Sequence, residues 1–402
     1  MLPDDKHFIY LGWSLAEGER ALFVGSLDGS DPVRLVAADA AGAVAPGYLL
    51  FQRANTVFAQ PFDAATLKLS GEPVRIVDGI MTDRLSGYAA YSVSSTGVLA
   101  IRRGDGGEEE AELAWVDRNG KATGTVGDVR RYDQIRLSPD GSRVALSSLD
   151  NDLQSFRISV LDLGNGVTTP VTDPALRAAD PVWSSDGQTI AFVAMGKGNE
   201  IMAQQVGGVT TSSAVKPKDV SQWLDDWSPD GRLLLHHVDP PGKLFAAAPN
   251  DPQSLTQLLE VKEAVDSAHF SPDGKWIAYQ IWDGGMFQVW VAAFPAMDQR
   301  RQVSAQGGGQ AMWRGDSREL FYLTPSGRLM SVRLTPNSPS GAMTLSAPVE
   351  LFQSPLTRPK LFVDQYAVTK DGLRFLFIRP HETKDTKPTP ITVLVNWTSG
   401  LK

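Results

Sequence analysis

The feature that most constrains this chain is a short turn that recurs along it at a nearly fixed interval. Leu137-Ser138-Pro139-Asp140-Gly141-Ser142-Arg143-Val144-Ala145-Leu146 returns as Trp183-Ser184-Ser185-Asp186-Gly187-Gln188-Thr189-Ile190-Ala191-Phe192. It returns again as Trp227-Ser228-Pro229-Asp230-Gly231 and as Phe270-Ser271-Pro272-Asp273-Gly274-Lys275-Trp276-Ile277-Ala278-Tyr279. Weaker copies are Val93-Ser94-Ser95-Thr96-Gly97, Trp313-Arg314-Gly315-Asp316-Ser317 and Val368-Thr369-Lys370-Asp371-Gly372. The residue before the turn glycine, or before its substitute, falls at 96, 140, 186, 230, 273, 316 and 371. Successive intervals are 44, 46, 44, 43, 43 and 55. A period in this range matches one four-stranded blade of a β-propeller.

Each unit has a physical reading. An aromatic or aliphatic residue ends one strand, and Pro and Asp-Gly make a tight turn. The aspartate bonds its own backbone while the glycine takes a positive φ. Apolar, β-branched strands follow, such as Arg157–Leu163 and Val289–Phe294, with a shorter fourth strand such as Pro348–Phe352. Trp183, Trp227, Phe270 and Trp313 share one repeat position, which predicts packing between neighbouring blades. The fold class is therefore all-β, a propeller of four-stranded antiparallel blades.

Two degenerate copies, Leu2-Pro3-Asp4-Asp5 and Ala45-Pro46-Gly47, bring the count to nine units, whereas propellers have about four to eight blades. Two divisions satisfy this. In one, residues 105–402 form a six-bladed ring and 1–104 about two and a half blades of a partial propeller. There the last blade holds strands near Asp364–Thr369, Leu373–Ile378 and Ile391–Trp397, completed by Leu113–Asp117 or Lys121–Val126. In the other, one eight-bladed ring uses the whole chain. The polar stretch Gly104–Glu110 sits where a boundary would fall and favours the first.

Composition narrows the function. Hydrophobic content is 42% and net charge −8, so nothing draws the surface toward nucleic acid or anionic lipid. No window has 18 consecutive apolar residues, so no membrane contact is expected within the chain, and Met1-Leu2-Pro3-Asp4-Asp5-Lys6 does not read as a signal peptide. The absence of cysteine removes disulfides, thiolate nucleophiles and Cys-ligated zinc while leaving compartment and oligomeric state open.

With its Ser-Pro-Asp-Gly turns the chain resembles the PD40/TolB-like (WD40-like) β-propeller repeat family of bacteria. Leu49–Asp63, Trp115-Val116-Asp117-Arg118-Asn119-Gly120-Lys121 and Pro390–Trp397 further resemble the C-terminal sensor propeller of bacterial membrane-anchored serine/threonine kinase-like receptors. That second resemblance implies an extracytoplasmic signalling module. The chain departs from it in having no kinase motif and no membrane helix.

Catalytic motifs are sparse. Gly12-Trp13-Ser14-Leu15-Ala16 misses the Gly-x-Ser-x-Gly elbow, and no Walker A or His-Glu-x-x-His occurs. Asp150-Asn151-Asp152 reads as a loop tip. Of the five histidines, His269 follows Ala268 just before an expected inner strand and is placed to point into the channel, whereas His236 and His237 face opposite sides of a strand. Asp133, Asp266 and Asp364 each lie seven residues before a turn aspartate, with Asp180, Asp225 and Asp226 close to the same place. These positions open the innermost strands, so the carboxylates are expected to line a negative channel that takes a basic peptide segment or a cation. Trp223 and Trp282 are candidate aromatic contacts at the mouth, and Gly307-Gly308-Gly309 is expected to leave a gap or flexible lip. The expected function is a non-catalytic propeller, not an enzyme, binding a protein or peptide without a resident cofactor. The alternative is a propeller enzyme (lyase or hydrolase), or the accessory propeller of a prolyl oligopeptidase-type peptidase, using the acidic channel.

Overall fold

The computed structural model describes the chain except residues 13–19, 84–86, 105–109, 150–155, 197–198, 209–210, 216–222, 238–239, 250, 252–253, 337–342, 357–358, 382–389 and 402. Among the described residues there is no α-helix, and nearly every strand pairs antiparallel with its neighbour in sequence. The chain divides into two compact units, Met1–Glu108 with Glu382–Lys402, and Glu109–His381.

The recurring turn explains why the strands fold as they do. Ser138 Oγ donates to Asp140 Oδ1 at 2.6 Å and accepts the Arg143 amide at 3.0 Å, while Asp140 Oδ1 accepts the Ser142 amide at 3.0 Å. Gly141 closes the turn at φ +74 by donating to the Ser138 carbonyl. The same hydroxyl-to-carboxylate bond, 2.6 Å long, recurs at Ser184–Asp186, Ser271–Asp273 and Thr369–Asp371. These side chains satisfy the backbone donors of the turn, so the inner strand reverses with fixed register.

In the larger unit, sheet I comprises Tyr132–Leu137, Arg143–Leu149, Phe156–Asp162 and Thr168–Pro170. Sheet II comprises Ala178–Trp183, Thr189–Ala194, Glu200–Gln205 and Thr211–Val215. Sheet III comprises Trp223–Trp227, Leu233–His237, Gly242–Ala247 and Thr256–Val261. Sheet IV comprises Val265–Phe270, Trp276–Asp283, Met286–Ala293 and Asp298–Gln302. Sheet V comprises Gly309–Trp313, Glu319–Leu323 and Arg328–Pro336, with Met343–Leu345 and Val349–Gln353 both on the last of these. Sheet VI joins the two ends of the unit: Tyr366–Val368 and Arg374–Pro380 pair on to Ala111–Asp117 and Ala122–Arg130. The inner strands of sheets I to VI follow one another in a closed circle, with Tyr366–Val368 packed against the inner strands of both I and V.

Both strand candidates for ring completion thus enter sheet VI, Ala111–Asp117 on Arg374–Pro380 in the register Ala111↔Pro380 to Asp117↔Arg374, and Ala122–Arg130 on Ala111–Asp117. One expectation is corrected. The strand Ile391–Leu394, expected in the last blade, pairs instead with Leu99–Arg102 in the smaller unit, where Trp397 Nε1 donates to the Gly97 carbonyl at 2.7 Å. The smaller unit also holds the sheet His7–Gly12, Ala21–Ser26, Val33–Ala37 and the sheet built on Tyr48–Arg53 and Thr56–Asp63.

The core of the ring lies between sheets. Trp183 and Trp313 are each 7% exposed, and their indole N–H groups donate to carbonyls of the preceding inner strand, Arg136 at 3.0 Å and His269 at 3.1 Å. Trp183 and Trp313 therefore hold the shared repeat position for two reasons, burial of a large ring and a hydrogen bond to the previous sheet. Around sheet VI, Phe321, Phe375, Phe377 and Tyr366 are fully buried and pack ring to ring, Phe321–Phe375 at 5.2 Å and Tyr366–Phe377 at 5.3 Å. Each such ring contributes roughly 2–3 kcal/mol of burial to the closing sheet.

Candidate functional site

The inner strands carry a device that the spacing of the aspartates only hints at. Sheets I to V each have a β-bulge there, at Tyr132/Gln134, Ala179/Val182, Leu224/Asp226, Asp266/His269 and Gly309/Met312. Asp180, Ser267 and Gln310, each six residues before its turn position, sit at φ +52, +45 and +54. An extra residue in a strand re-aims its side chains, and left-handed backbone away from glycine is costly enough to mark a functional place. The bulges also account for the uneven offsets of the aspartates from their turns.

What they aim inward is a charged cluster. Arg136 of sheet I reaches three other sheets at once: Nη2 lies 2.6 Å from Asp364 Oδ2, just before the inner strand of sheet VI, and donates to the Asp225 carbonyl of sheet III at 2.8 Å. Its Nη1 lies 3.0 Å from Nδ1 of His269 in sheet IV. One side chain meets three other sheets of a ring only near its axis, so this cluster lies on the channel. A guanidinium only donates. His269 Nδ1 therefore accepts, which leaves the ring proton on Nε2, 3.5 Å from Asp364 Oδ1. Gln134 Nε2 also donates to Asp364, at 3.3 Å.

A second group stands beside the first. His236 Nδ1 is 2.9 Å from Asp225 Oδ1, and its Nε2 is 3.8 Å from Asp266 Oδ1. Lys360 Nζ lies 3.4 Å from Asp133 Oδ1. Asp226 is held by backbone donors, the amides of Trp227 and Phe270, both at 2.8 Å. Asp180 is half-buried, and the groups that act on it electrostatically are Asp133, His236, Asp225 and Asp266.

Burial and neighbours set the protonation of this cluster. Burial first, then Asp133, pushes the Asp180 carboxyl up to about 8. Burial likewise pushes Asp266 up to about 7, with His236 pulling the other way. Burial works against a charge on His236, yet Asp225 and Asp266 overcome it and hold the imidazole at about 9. Burial also opposes ionisation of Asp364, but Arg136 and His269 win and hold it at about 2. Groups of one type are thus driven in opposite directions within one cluster, as functional sites arrange.

The candidates from the sequence are distributed as follows. Asp133, Asp180, Asp225, Asp266, Asp364 and His269 come together, as does Asp226. Trp223 is half-buried against the core of sheets II and III, and Trp282 is 43% exposed and packs edge-on to Phe287 at 5.1 Å. Neither has a contact with the acidic cluster among the described interactions. Gly307–Gly309 form no gap. A Cβ on Gly309 would stand 2.6 Å from the Leu361 carbonyl oxygen and one on Gly308 2.7 Å from the Tyr322 ring, so glycine is there because neighbours press close. Asp150-Asn151-Asp152 and most of Gly12–Ala16 lie outside the described residues.

Sequence reasoning passed over the cations. Arg136, Asp226 and His269 all occupy the fourth place before a turn aspartate, and a change of charge at that position was the available signal. His236 was read only as facing the opposite side of its strand from His237, yet it meets Asp225 of its own sheet. The acidic set is therefore no bare negative funnel, because Arg136, His236 and Lys360 stand among the carboxylates. Among the described residues no three His, Asp or Glu side chains come together as metal ligands. No helix there is long and apolar enough to cross a membrane.

No family model matches the chain. A stretch of 108 residues is 34% identical to the uncharacterized peptidase YuxL of Bacillus subtilis (strain 168), covering 25% of this chain and 16% of that protein. Among solved structures, the chain is similar to a TolB of Agrobacterium tumefaciens, at 16% identity and TM-score 0.49, covering 69% of this chain and 100% of that one. It is also similar to a prolyl endopeptidase, at 14% identity and TM-score 0.42, over 87% of this chain and 55% of that one. The peptidase match overturns the expectation that the chain is not an enzyme. The repeated turns and the closed circle of inner strands together show the fold of the larger unit, a β-propeller of four-stranded antiparallel sheets, as the resemblance of the turns to PD40/TolB-like repeats implied.

Proposed function

We propose that this chain is the propeller of a prolyl oligopeptidase-type peptidase, admitting and holding peptides at the charged end of its channel. The observation that carries this reading is the 34% identity to a peptidase over 108 residues. The site supports it chemically. A ring of buried carboxylates interleaved with Arg136, His236 and Lys360 offers both acceptors and donors to an extended peptide, whose backbone and termini need both. The hydrolytic nucleophile is assigned to no residue of this chain, because the sequence contains no Gly-x-Ser-x-Gly elbow.

The test is binding of fluorescein-labelled unstructured peptides of increasing length to the purified chain, read by anisotropy, beside an Arg136→Met variant. Saturable binding of short peptides that the variant weakens supports the reading. Equal anisotropy with and without protein across the whole series overturns it.

A further inference from the structure

The interval between turns lengthens to 55 where sheet V leads to sheet VI, and the connection there, 354–365, is longer than those from III to IV (262–264) and from IV to V (303–308). Its last part, Pro359–Val363, is a strap that meets four sheets of the ring. The Leu361 carbonyl accepts from Gln280 Nε2 of sheet IV at 2.6 Å, and the Lys360 carbonyl accepts from Gln310 Nε2 of sheet V at 2.8 Å. The Lys360 amide donates to Gln365 Oε1, just before the inner strand of sheet VI, at 2.6 Å. The Lys360 side chain then reaches sheet I, where Nζ lies 3.4 Å from Asp133 Oδ1. The three glutamines are buried and neutral, and they grip the strap by its backbone. The position of the strap therefore does not depend on the Lys360 side chain, which can leave Asp133 while the backbone stays in place.

Among the described ion pairs of the channel this one has the most exposed cation: the Lys360 side chain is 33% exposed, against 13% for Arg136 and 8% for His236. An outgoing lysine regains water, and an exposed pair of this kind holds its partners only weakly. We propose that Lys360 occupies Asp133 as a tethered stand-in for a lysine side chain of the bound peptide, so that the strap inhibits binding until the ligand's ammonium takes its place. An ammonium is a compact point charge on a flexible stem, and a carboxylate accepts it alike from the chain or from a ligand. The tether makes the competition intramolecular, which raises the effective concentration of Lys360 at Asp133 above that of a free peptide. A neutral side chain gains no ion pair by displacing it. This inference rests on the peptide-holding reading and adds its regulation.

Fluorescence anisotropy of the full chain with two unstructured Ala/Ser peptides tests it. Both are labelled at the N-terminus and amidated at the C-terminus; one carries a single lysine and the other Nε-acetyl-lysine in its place. The proteins are the native chain, Lys360→Met, Lys360→Arg and Lys360→Met/Asp133→Asn, each checked for native near-UV circular dichroism. Lys360→Met should bind the lysine peptide roughly threefold tighter or more than the native chain, with no such gain for the acetylated peptide. Lys360→Arg keeps the charge and should bind as the native chain does, and adding Asp133→Asn should abolish the gain. A lysine peptide bound no tighter by Lys360→Met overturns the proposal. So does an equal gain for the acetylated peptide, or a gain that survives Asp133→Asn. In each of these cases binding of the acetylated peptide to the native chain leaves the peptide-holding reading intact. Failure of both peptides to bind either the native chain or Lys360→Met overturns the two together.

Discussion

Replacing Arg136 with Met removes a side chain that ties sheets I, III, IV and VI together, while keeping an apolar body of similar length. The Arg136 side chain is 13% exposed and that of its partner Asp364 2%, so the pair lies in the interior. Breaking a buried pair by deleting one partner costs about 3–5 kcal/mol, because the remaining charge has lost its compensation. The Asp225 carbonyl loses its donor in the same step. For a unit of this size about 1 kcal/mol moves the melting temperature by roughly 2–4 °C, so a fall of about 10 °C is expected at pH 7. Asp364 has a depressed pKa of about 2, so its contribution is present above the ordinary carboxylate range and is lost as pH falls through that range toward 2. In the variant that carboxyl regains a proton more easily, and the deficit should shrink toward pH 4. Calorimetry and urea unfolding read by tryptophan fluorescence measure both quantities. The double variant Arg136→Met/Asp364→Asn is the control, since it removes the orphaned charge along with its partner and should recover most of the loss. A loss below about 1 kcal/mol in the single variant would refute the reasoning. So would a double variant no more stable than the single.

Three further outcomes follow from the same structure. Asp180 and Asp266 have raised pKa values, so the folded state holds protons that the unfolded chain releases, and each group's contribution falls as pH rises from the ordinary carboxylate range through about 8 and about 7. Asp180→Asn, whose amide tolerates the same φ of +52, should therefore raise the melting temperature more at pH 8.5 than at pH 5, and equal shifts would argue against a buried proton there. Trp183→Phe keeps the ring but orphans the Arg136 carbonyl, and urea unfolding should show a loss of about 1–2 kcal/mol. Gly309→Ala places a methyl against the Leu361 carbonyl and should cost about 1–3 kcal/mol by the same measurement.

Much of the architecture was legible in the sequence, because the turn is a local device. Ser-Pro-Asp-Gly closes on itself through hydroxyl, carboxylate and a positive-φ glycine, so four clear copies in series determine strand reversals wherever they occur. Trp183 and Trp313 were readable from their repeat position, each buried in its own sheet and bonded to the one before. The aspartates were readable as a set because all of them lie four to seven residues before those turns.

Tertiary structure decided what local rules leave open. Ile391–Leu394 has the alternation of a strand, and alternation does not name a partner; pairing with Leu99–Arg102 across almost the whole chain does. Both Ala111–Asp117 and Ala122–Arg130 were needed to join the ends of the ring, whereas the sequence alone made them alternatives. The charge balance of the channel was decided the same way. Arg136, His236 and Lys360 come from different sheets and loops, at no common spacing, and meet the carboxylates because the ring closes. A period in sequence determines what each sheet is; only closure of the ring determines which charges share its axis.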